Sequence, residues 1–407
     1  MHKLSKSRIM SSLQCRKRVH LEVHRKDLLE FSKATEAAFK VGHAVGDMAI
    51  RQYGKGRGNV VDYFDGDLSR AVAETRSLMN SRSDEPIFEA TLEHRGVLVR
   101  EDVLLPVGDD SWRVVEVKAS TSVKPEHVRD CAIQAWVHLG EGHPLDRISL
   151  AHVDNQFAYE GGDDYAGLFC EVDLTAQVMP LVSHVSEWVD SALEAVNGPL
   201  TDVPVGGHCT QPYVCPFIDH CWPRDTKYPV DGLGGGRKKL AVHVMNGYED
   251  IRDVPPSEIS GNGPTRIHRV TREGVPELLP GAKAFADGLP YPRFYLDFET
   301  VGPAVPVWRE TRPYQSLPFQ WSCHIERAPG VMEHREFLDL SGEPPMRPRA
   351  ESLLRDLEAE GPVLMYTSYE RGVIEGLARM FPDLAEGLRS IIDRLVDLHP
   401  VTRANYY

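Results

Sequence analysis

Three short runs, Ile87–Leu92, Val97–Leu105 and Trp112–Val117, alternate apolar and polar residues across brief polar breaks. Alternation with period two sends successive side chains to opposite faces of a strand, so the stretch predicts a β-meander with one face on a core. Helical spacing follows at Glu126–Leu139. A strand is then expected near Ile148–Val153, a hairpin through Phe157–Val172 and a helix near Val178–Val196. Upstream, Leu28, Leu29, Phe31, Ala37, Ala38, Phe39 and Val41 give residues 1–53 an amphipathic helical pattern that ends at Gly54–Gly58. Strands framed by helices place the chain in the α/β class.

Past residue 200 the composition changes. Gly206–Pro223 is rich in Cys, Pro and Gly and reads as a ligand-bearing loop, while Gly232–Lys239 (GLGGGRKK) reads as a linker. Residues 240–290 carry the breakers Pro255–Pro256 and Gly261–Pro264 and read as short helices and turns. A new strand starts at Arg293, with alternating runs and two helices after it. At roughly 100–200 residues per domain, 407 residues accommodate two or three domains. The expected division is a domain over 1–230, a linker and helical connector over 231–290, and a second domain over 291–407.

Hydrophobic residues at 42% and charged residues at 26% exclude a collagen, a wholly disordered chain and a disulfide-held miniature. No apolar run of signal-peptide length follows the basic N-terminus, and none reaches about 18 residues. Seven cysteines, an odd number, fit reduced thiols or metal ligands. A cytoplasmic protein without a membrane span is the expectation. The net charge of −14 allows nucleic-acid contact only through a local basic patch or bound metal. One candidate patch is Lys3, Lys6, Arg8, Arg16, Lys17, Arg18, Arg25 and Lys26, set against Glu22 alone; a solvated basic helix is the equal alternative. Gly54–Gly58 (GKGRG) lacks the spacing and the Ser or Thr of a phosphate-binding loop and reads as a turn.

The first chemical cluster lies in the meander. In Trp112–Ser120 (WRVVEVKAS), Glu116 and Lys118 are two apart on a strand and share a face; Asp102, in REDVLL, can reach the same point. Two carboxylates and a lysine converging at a strand end suit a Mg²⁺ or Mn²⁺ site for phosphodiester hydrolysis, and an isolated E-x-K is otherwise a solvated rim. The order Asp102…Glu116-x-Lys118 resembles the PD-(D/E)XK nuclease superfamily, with its restriction-endonuclease-like core. The resemblance extends to RecB-like members, implying His43 in FKVGHAVG as an extra metal ligand beside Asp102 and Glu116. It also implies that Gln134, on the following helix, positions substrate or the metal shell. Four residues on, where those relatives carry tyrosine, stands His138.

Cys209, Cys215 and Cys221 are spaced C-x5-C-x5-C, with Cys15 far upstream. This set resembles RecB-like nucleases held by an iron–sulfur staple, such as the CRISPR-associated exonuclease and AddB-like helicase–nucleases, although their first interval is usually two. The resemblance implies a 4Fe-4S cluster closing the ends of the domain on each other; four thiolates equally suit structural Zn²⁺. Cys131, Cys170 and Cys323 fall on strand or helix positions and are expected in cores.

In Pro292–Thr300 (PRFYLDFET) a strand puts Asp297 and Glu299 on one face and Phe294, Leu296 and Phe298 on the other. Val363–Glu370 (VLMYTSYE) reads as a short strand running into a helix, Leu317–His324 as a strand behind the D-x-E, and Asp397 as the end of a later strand. This pattern resembles the DnaQ-like, DEDD-type exonucleases of the ribonuclease H-like fold, implying that Asp297 and Glu299 share two metal ions, with Glu370 and Asp397 as further acids. The closing motif of that family falls beyond Tyr407, which implies an incomplete second nuclease. Taken whole, the chain resembles bacterial proteins joining an iron–sulfur RecB-like nuclease to a DnaQ-like domain. The implied activity is metal-dependent DNA cleavage, as an exonuclease on single-stranded or frayed ends. The alternatives are a non-catalytic nucleic-acid-binding protein with a structural iron–sulfur or zinc site, and an interaction scaffold that binds no nucleic acid.

Overall fold

The computed structural model describes residues 3–29, 31–62, 68–81, 83–222, 225–234, 236–358 and 360–407; Pro223 of the cysteine loop and Gly235 of the expected linker lie outside them. It is a mixed α/β protein of two compact units, Met1–Phe157 with Asp163–Pro264, and Ala158–Gly162 with Thr265–Tyr407. The division falls at residue 264, inside the segment expected to connect two domains.

The first unit runs β1 (Leu4–Ser5), α1 (Lys6–Gln14), α2 (Arg16–His24), α3 (Lys33–Gly54), β2 (Asn59–Val60), α4 (Leu68–Ser81), β3 (Ile87–His94), β4 (Val97–Val107) and β5 (Ser111–Lys118). It continues through α5 (Pro125–Gly140), β6 (Leu145–Val153), β7 (Phe169–Asp173), α6 (Thr175–Val182), α7 (Val185–Asn197), α8 (Ile218–Cys221) and α9 (Arg237–Met245). The sheet order is β2-β3-β4-β5-β6-β7, with β1 paired to β4. The meander is present: β4 is antiparallel to both β3 and β5, and β6 is parallel to β5 across the α5 crossover.

Central position explains why β5 is buried on both faces. Val114 joins the main core with Ile133 of α5, Ile148 and Leu150, while Val115 joins Phe88, Val103 and Ala151 under Ala49 of α3. Glu116 shares its parity with Val114 and so points to the α5 side. Strict alternation fails at one place. Val97, Val99 and Leu104 of β4 all enter the main core although Leu104 has the opposite parity. The switch falls at Asp102, and Glu89, its counterpart across the 88↔103 and 90↔101 pairs, has φ of 56°. A non-glycine residue in the left-handed region is costly, and such strain collects where side chains are re-aimed.

Three local expectations change. Phe157–Val172 is not a hairpin: β7 alone is extended there and pairs antiparallel with β6. The single helix expected over 178–196 is two, α6 and α7, broken at Ser183–His184 shortly after Pro180. Residues 1–53 are not wholly helical, because β1 adds to β4 in parallel.

The second unit holds α10 (Asn262–Glu273), α11 (Pro280–Gly288), β8 (Arg293–Val301), β9 (Leu317–Ala328), β10 (Val331–Leu338), α12 (Met346–Asp356), β11 (Val363–Met365), α13 (Tyr369–Met380), α14 (Ala385–Asp393), β12 (Leu395–Asp397) and α15 (Leu398–Asn405). Its sheet order is β10-β9-β8-β11-β12; β8, β11 and β12 run parallel, and β9 runs antiparallel to its neighbours. Phe294, Leu296 and Phe298 are buried with Trp321, Leu353, Ile374 and Leu388, leaving Asp297 and Glu299 exposed. Among the described residues no helix is long and apolar enough to cross a membrane.

Candidate functional site: a carboxylate–lysine network in the first unit

Asp102, Glu116, Lys118 and Gln134 come together where β4, β5 and α5 meet. Glu116 is 1% exposed. The Lys118 Nζ donates to its Oε1 at 2.5 Å, and the Gln134 Nε2 donates to its Oε2 at 2.6 Å. The Asp102 Oδ2 accepts from the Val117 backbone N–H at 2.7 Å, which ties β4 to β5 beside Glu116. Two residues not foreseen complete the network. The Lys6 Nζ, at the first turn of α1, donates to Glu116 Oε1 at 3.0 Å and to Asp130 Oδ2 at 3.2 Å. Lys118 donates to the same Asp130 oxygen at 2.8 Å. Asp130 had a legible signal, since it precedes Gln134 by one helical turn and shares its face of α5. Lys6 had none beyond its place in a basic run.

The electrostatics follow from this packing. Burial works against each ammonium, but the charges of Asp130 and Glu116 outweigh it and raise Lys6 and Lys118 above the ordinary lysine value. Burial also works against ionised Glu116, yet Lys118 and Lys6 hold it well below the usual carboxylate range. Asp102 goes the other way: burial first, then the charge of Glu116, raises it. Neighbouring carboxylates are thus pushed apart, one kept ionised and one inclined to keep its proton.

The expected metal and cluster chemistry is corrected. Among the described residues no group of three or more His, Cys, Asp or Glu side chains is placed to hold a metal ion. Both Glu116 oxygens are already engaged by ammonium and amide donors. His43 is exposed on α3, and no hydrogen bond or ion pair joins it to Asp102 or Glu116. The Mg²⁺ or Mn²⁺ ligation expected of His43, Asp102 and Glu116 therefore does not stand.

Cys15, Cys209, Cys215 and Cys221 do line one small cavity, with Leu21 and Phe217. Burial pushes the Cys215 thiol up to about 11 and raises Cys209 and Cys221, and among the described residues these thiols are not grouped to hold a metal ion. Neither the expected 4Fe-4S cluster nor the Zn²⁺ alternative is supported. Cys131 and Cys323 are buried as expected, but Cys170 is exposed.

In the second unit, Asp297 and Glu299 on β8, Glu370 at the start of α13 and Asp397 at the end of β12 lie toward the same carboxyl ends of parallel strands. Glu370 is 4% exposed and its Oε2 has no partner; burial raises its pKa, and the charges of Asp297 and Asp397 add to the effect. Asp397 is committed to the chain, its Oδ1 accepting from the Thr367 and His399 backbone N–H groups at 3.0 and 2.9 Å. The two-metal expectation for Asp297 and Glu299 is overturned by the same absence of a metal-holding group among the described residues.

A family model described as a domain of unknown function (DUF2779) matches residues 294–407, the segment that carries these four acids. Among solved structures the chain is similar to one titled "Crystal structure of SSO0001", at 13% identity and a TM-score of 0.27, over 49% of this chain and 80% of that one. No curated protein matches the chain.

Proposed function

We propose that the first unit is a nuclease of PD-(D/E)XK type that hydrolyses DNA phosphodiester bonds, acting in the cytoplasm as an exonuclease on single-stranded or frayed ends. One observation carries the reading: Glu116 is buried and bonded to Lys118 and Gln134, and Asp102 is tied to the backbone of β5 beside it, so that residues distant in sequence meet in the order that superfamily requires. In this reading ionised Glu116 anchors the two ammonium groups. Lys118 orients the attacking water, and with Lys6 it offsets the charge that grows on the phosphoryl oxygens. Asp102, inclined to keep its proton, protonates the leaving oxygen, and the proton released by the attacking water restores it. The strand order of the second unit supports reading it as ribonuclease H-like, with Asp297, Glu299 and Glu370 as its hydrolytic acids.

The test is degradation of labelled single- and double-stranded DNA. Wild type is expected to cut, and Glu116→Ala and Lys118→Ala are expected not to. If both variants cut like wild type while Asp297→Ala does not, the activity belongs to the second unit. A second reading, non-catalytic nucleic-acid binding, is favoured by the full engagement of both Glu116 oxygens. Wild type that binds DNA without cutting it would establish that reading.

A further inference from the structure

A pocket of about 280 Å³ in the first unit opens onto the network and is lined by Lys6, Gln14, Arg18, Lys118, His127 and Tyr213, among others. We infer that this pocket is a subsite for one unpaired nucleotide, with its phosphate on Lys6 and Lys118 and its base on the ring of Tyr213. The identity of the ligand rests on the nuclease reading; the geometry of the pocket does not.

Donor arithmetic supports the phosphate half. An ammonium has three N–H donors. Lys6 and Lys118 each spend two, on Glu116 Oε1 and Asp130 Oδ2, and among the described residues neither has a further hydrogen-bond partner. Two N–H groups held by the same pair of carboxylates are therefore left for an outside acceptor with several oxygens, which is what a phosphate offers. Lys6 is 19% and Lys118 28% exposed at the side chain, so both are reachable from the pocket.

The base half rests on Tyr213. It lines the pocket and is 52% exposed as a residue, so its ring is open to a ligand there. Its backbone is fixed: the Gln14 Nε2 donates at 2.7 Å to both Tyr213 O and His208 O, which pins the loop to α1. An exposed ring on an anchored loop, beside ammonium donors, is the combination that binds single strands, since any base can stack and the cations track the backbone. The volume, near the lower bound of roughly 300 Å³ for small-ligand sites, admits one nucleotide and not a duplex.

Fluorescence anisotropy with a short labelled oligo-dT and the matching blunt duplex tests this. Tyr213→Ala is expected to weaken single-strand binding about tenfold, and Tyr213→Phe to leave it unchanged. Lys6→Gln is expected to reduce the slope of log affinity against log salt by about 0.7, one phosphate contact. Tyr213 is exposed, so its variants are expected to keep the wild-type melting curve. Tyr213→Ala binding and cutting like wild type overturns the subsite and leaves the nuclease reading standing. Wild type that binds through Tyr213 and Lys6 but never cuts retains the subsite and removes the nuclease reading. Equal affinity of wild type for the blunt duplex also overturns it.

Discussion

Lys6 and Lys118 share the same two acceptors: each ammonium lies within 3.2 Å of both Glu116 Oε1 and Asp130 Oδ2. A residue from the first helical turn is thereby fastened to a strand and a helix more than a hundred positions away. Two ammonium groups face two carboxyl groups, so removing the charge of either acid leaves the pair of cations with a single acid to share.

That imbalance sets the first prediction. Glu116→Gln keeps the shape but removes the charge, and breaking a buried ion pair by deleting one partner costs about 3–5 kcal/mol. The exposure of the two lysines puts the expectation at the lower end, about 3 kcal/mol by urea unfolding. Adding Lys6→Met to Glu116→Gln should recover part of the loss. A double variant no more stable than the single would show that Lys6 is not held by Glu116.

The pH dependence of Asp102 has a definite sign. Its folded pKa is raised by burial and by Glu116. The stability of wild type relative to Asp102→Asn should be fully present below the unfolded carboxyl value of about 4 and be lost as pH rises through the raised folded value. Urea midpoints of the two proteins across that range measure it. A constant difference would mean that Asp102 titrates normally.

These two residues also mark what the sequence could and could not reveal. The period-two runs around Asp102 and Glu116 predicted β3, β4 and β5, because a half-buried strand writes its alternation locally. Asp297 and Glu299 were placed on the open face of β8 by the same rule. Lys6 was not, since its role depends on β1 pairing with β4, and a two-residue strand has no periodicity to detect. The parity switch at Asp102 was equally hidden, as it lies opposite the left-handed backbone of Glu89 on the neighbouring strand, which no local pattern announces. The cysteines expected to share a cluster do line one cavity, yet spacing says nothing of the burial that raises the Cys215 thiol.

The pair behind the site should matter for stability more than for chemistry. Glu101 and His138 are both 0% exposed, and the His138 Nδ1 lies 3.1 Å from Glu101 Oε1, linking β4 to α5 one turn past Gln134. Glu101→Ala leaves the buried imidazole without its partner and should cost about 1–3 kcal/mol. His138→Tyr should also destabilise, because the larger ring must displace packed neighbours. Thermal denaturation of both variants checks this; a wild-type melting curve for Glu101→Ala would dismiss the pair as a structural tie.

In the second unit the informative residue is Arg349. It is 0% exposed, its three side-chain nitrogens have no hydrogen-bond partner among the described residues, and its guanidinium sits 5.2 Å from the centre of the Phe337 ring. Burial lowers its pKa to about 10, with Asp339 opposing the shift. A cation–π contact contributes about 2 kcal/mol when desolvated, less than the several kcal/mol needed to take an unpaired ion out of water. Arg349→Met keeps the length, removes the charge and still packs on Phe337 through sulfur. It should therefore be neutral to stabilising, by up to about 2 kcal/mol in urea unfolding at neutral pH. A loss of more than about 1 kcal/mol would mean that the guanidinium is held by more than the ring, and that charge at this position is required by the unit's fold.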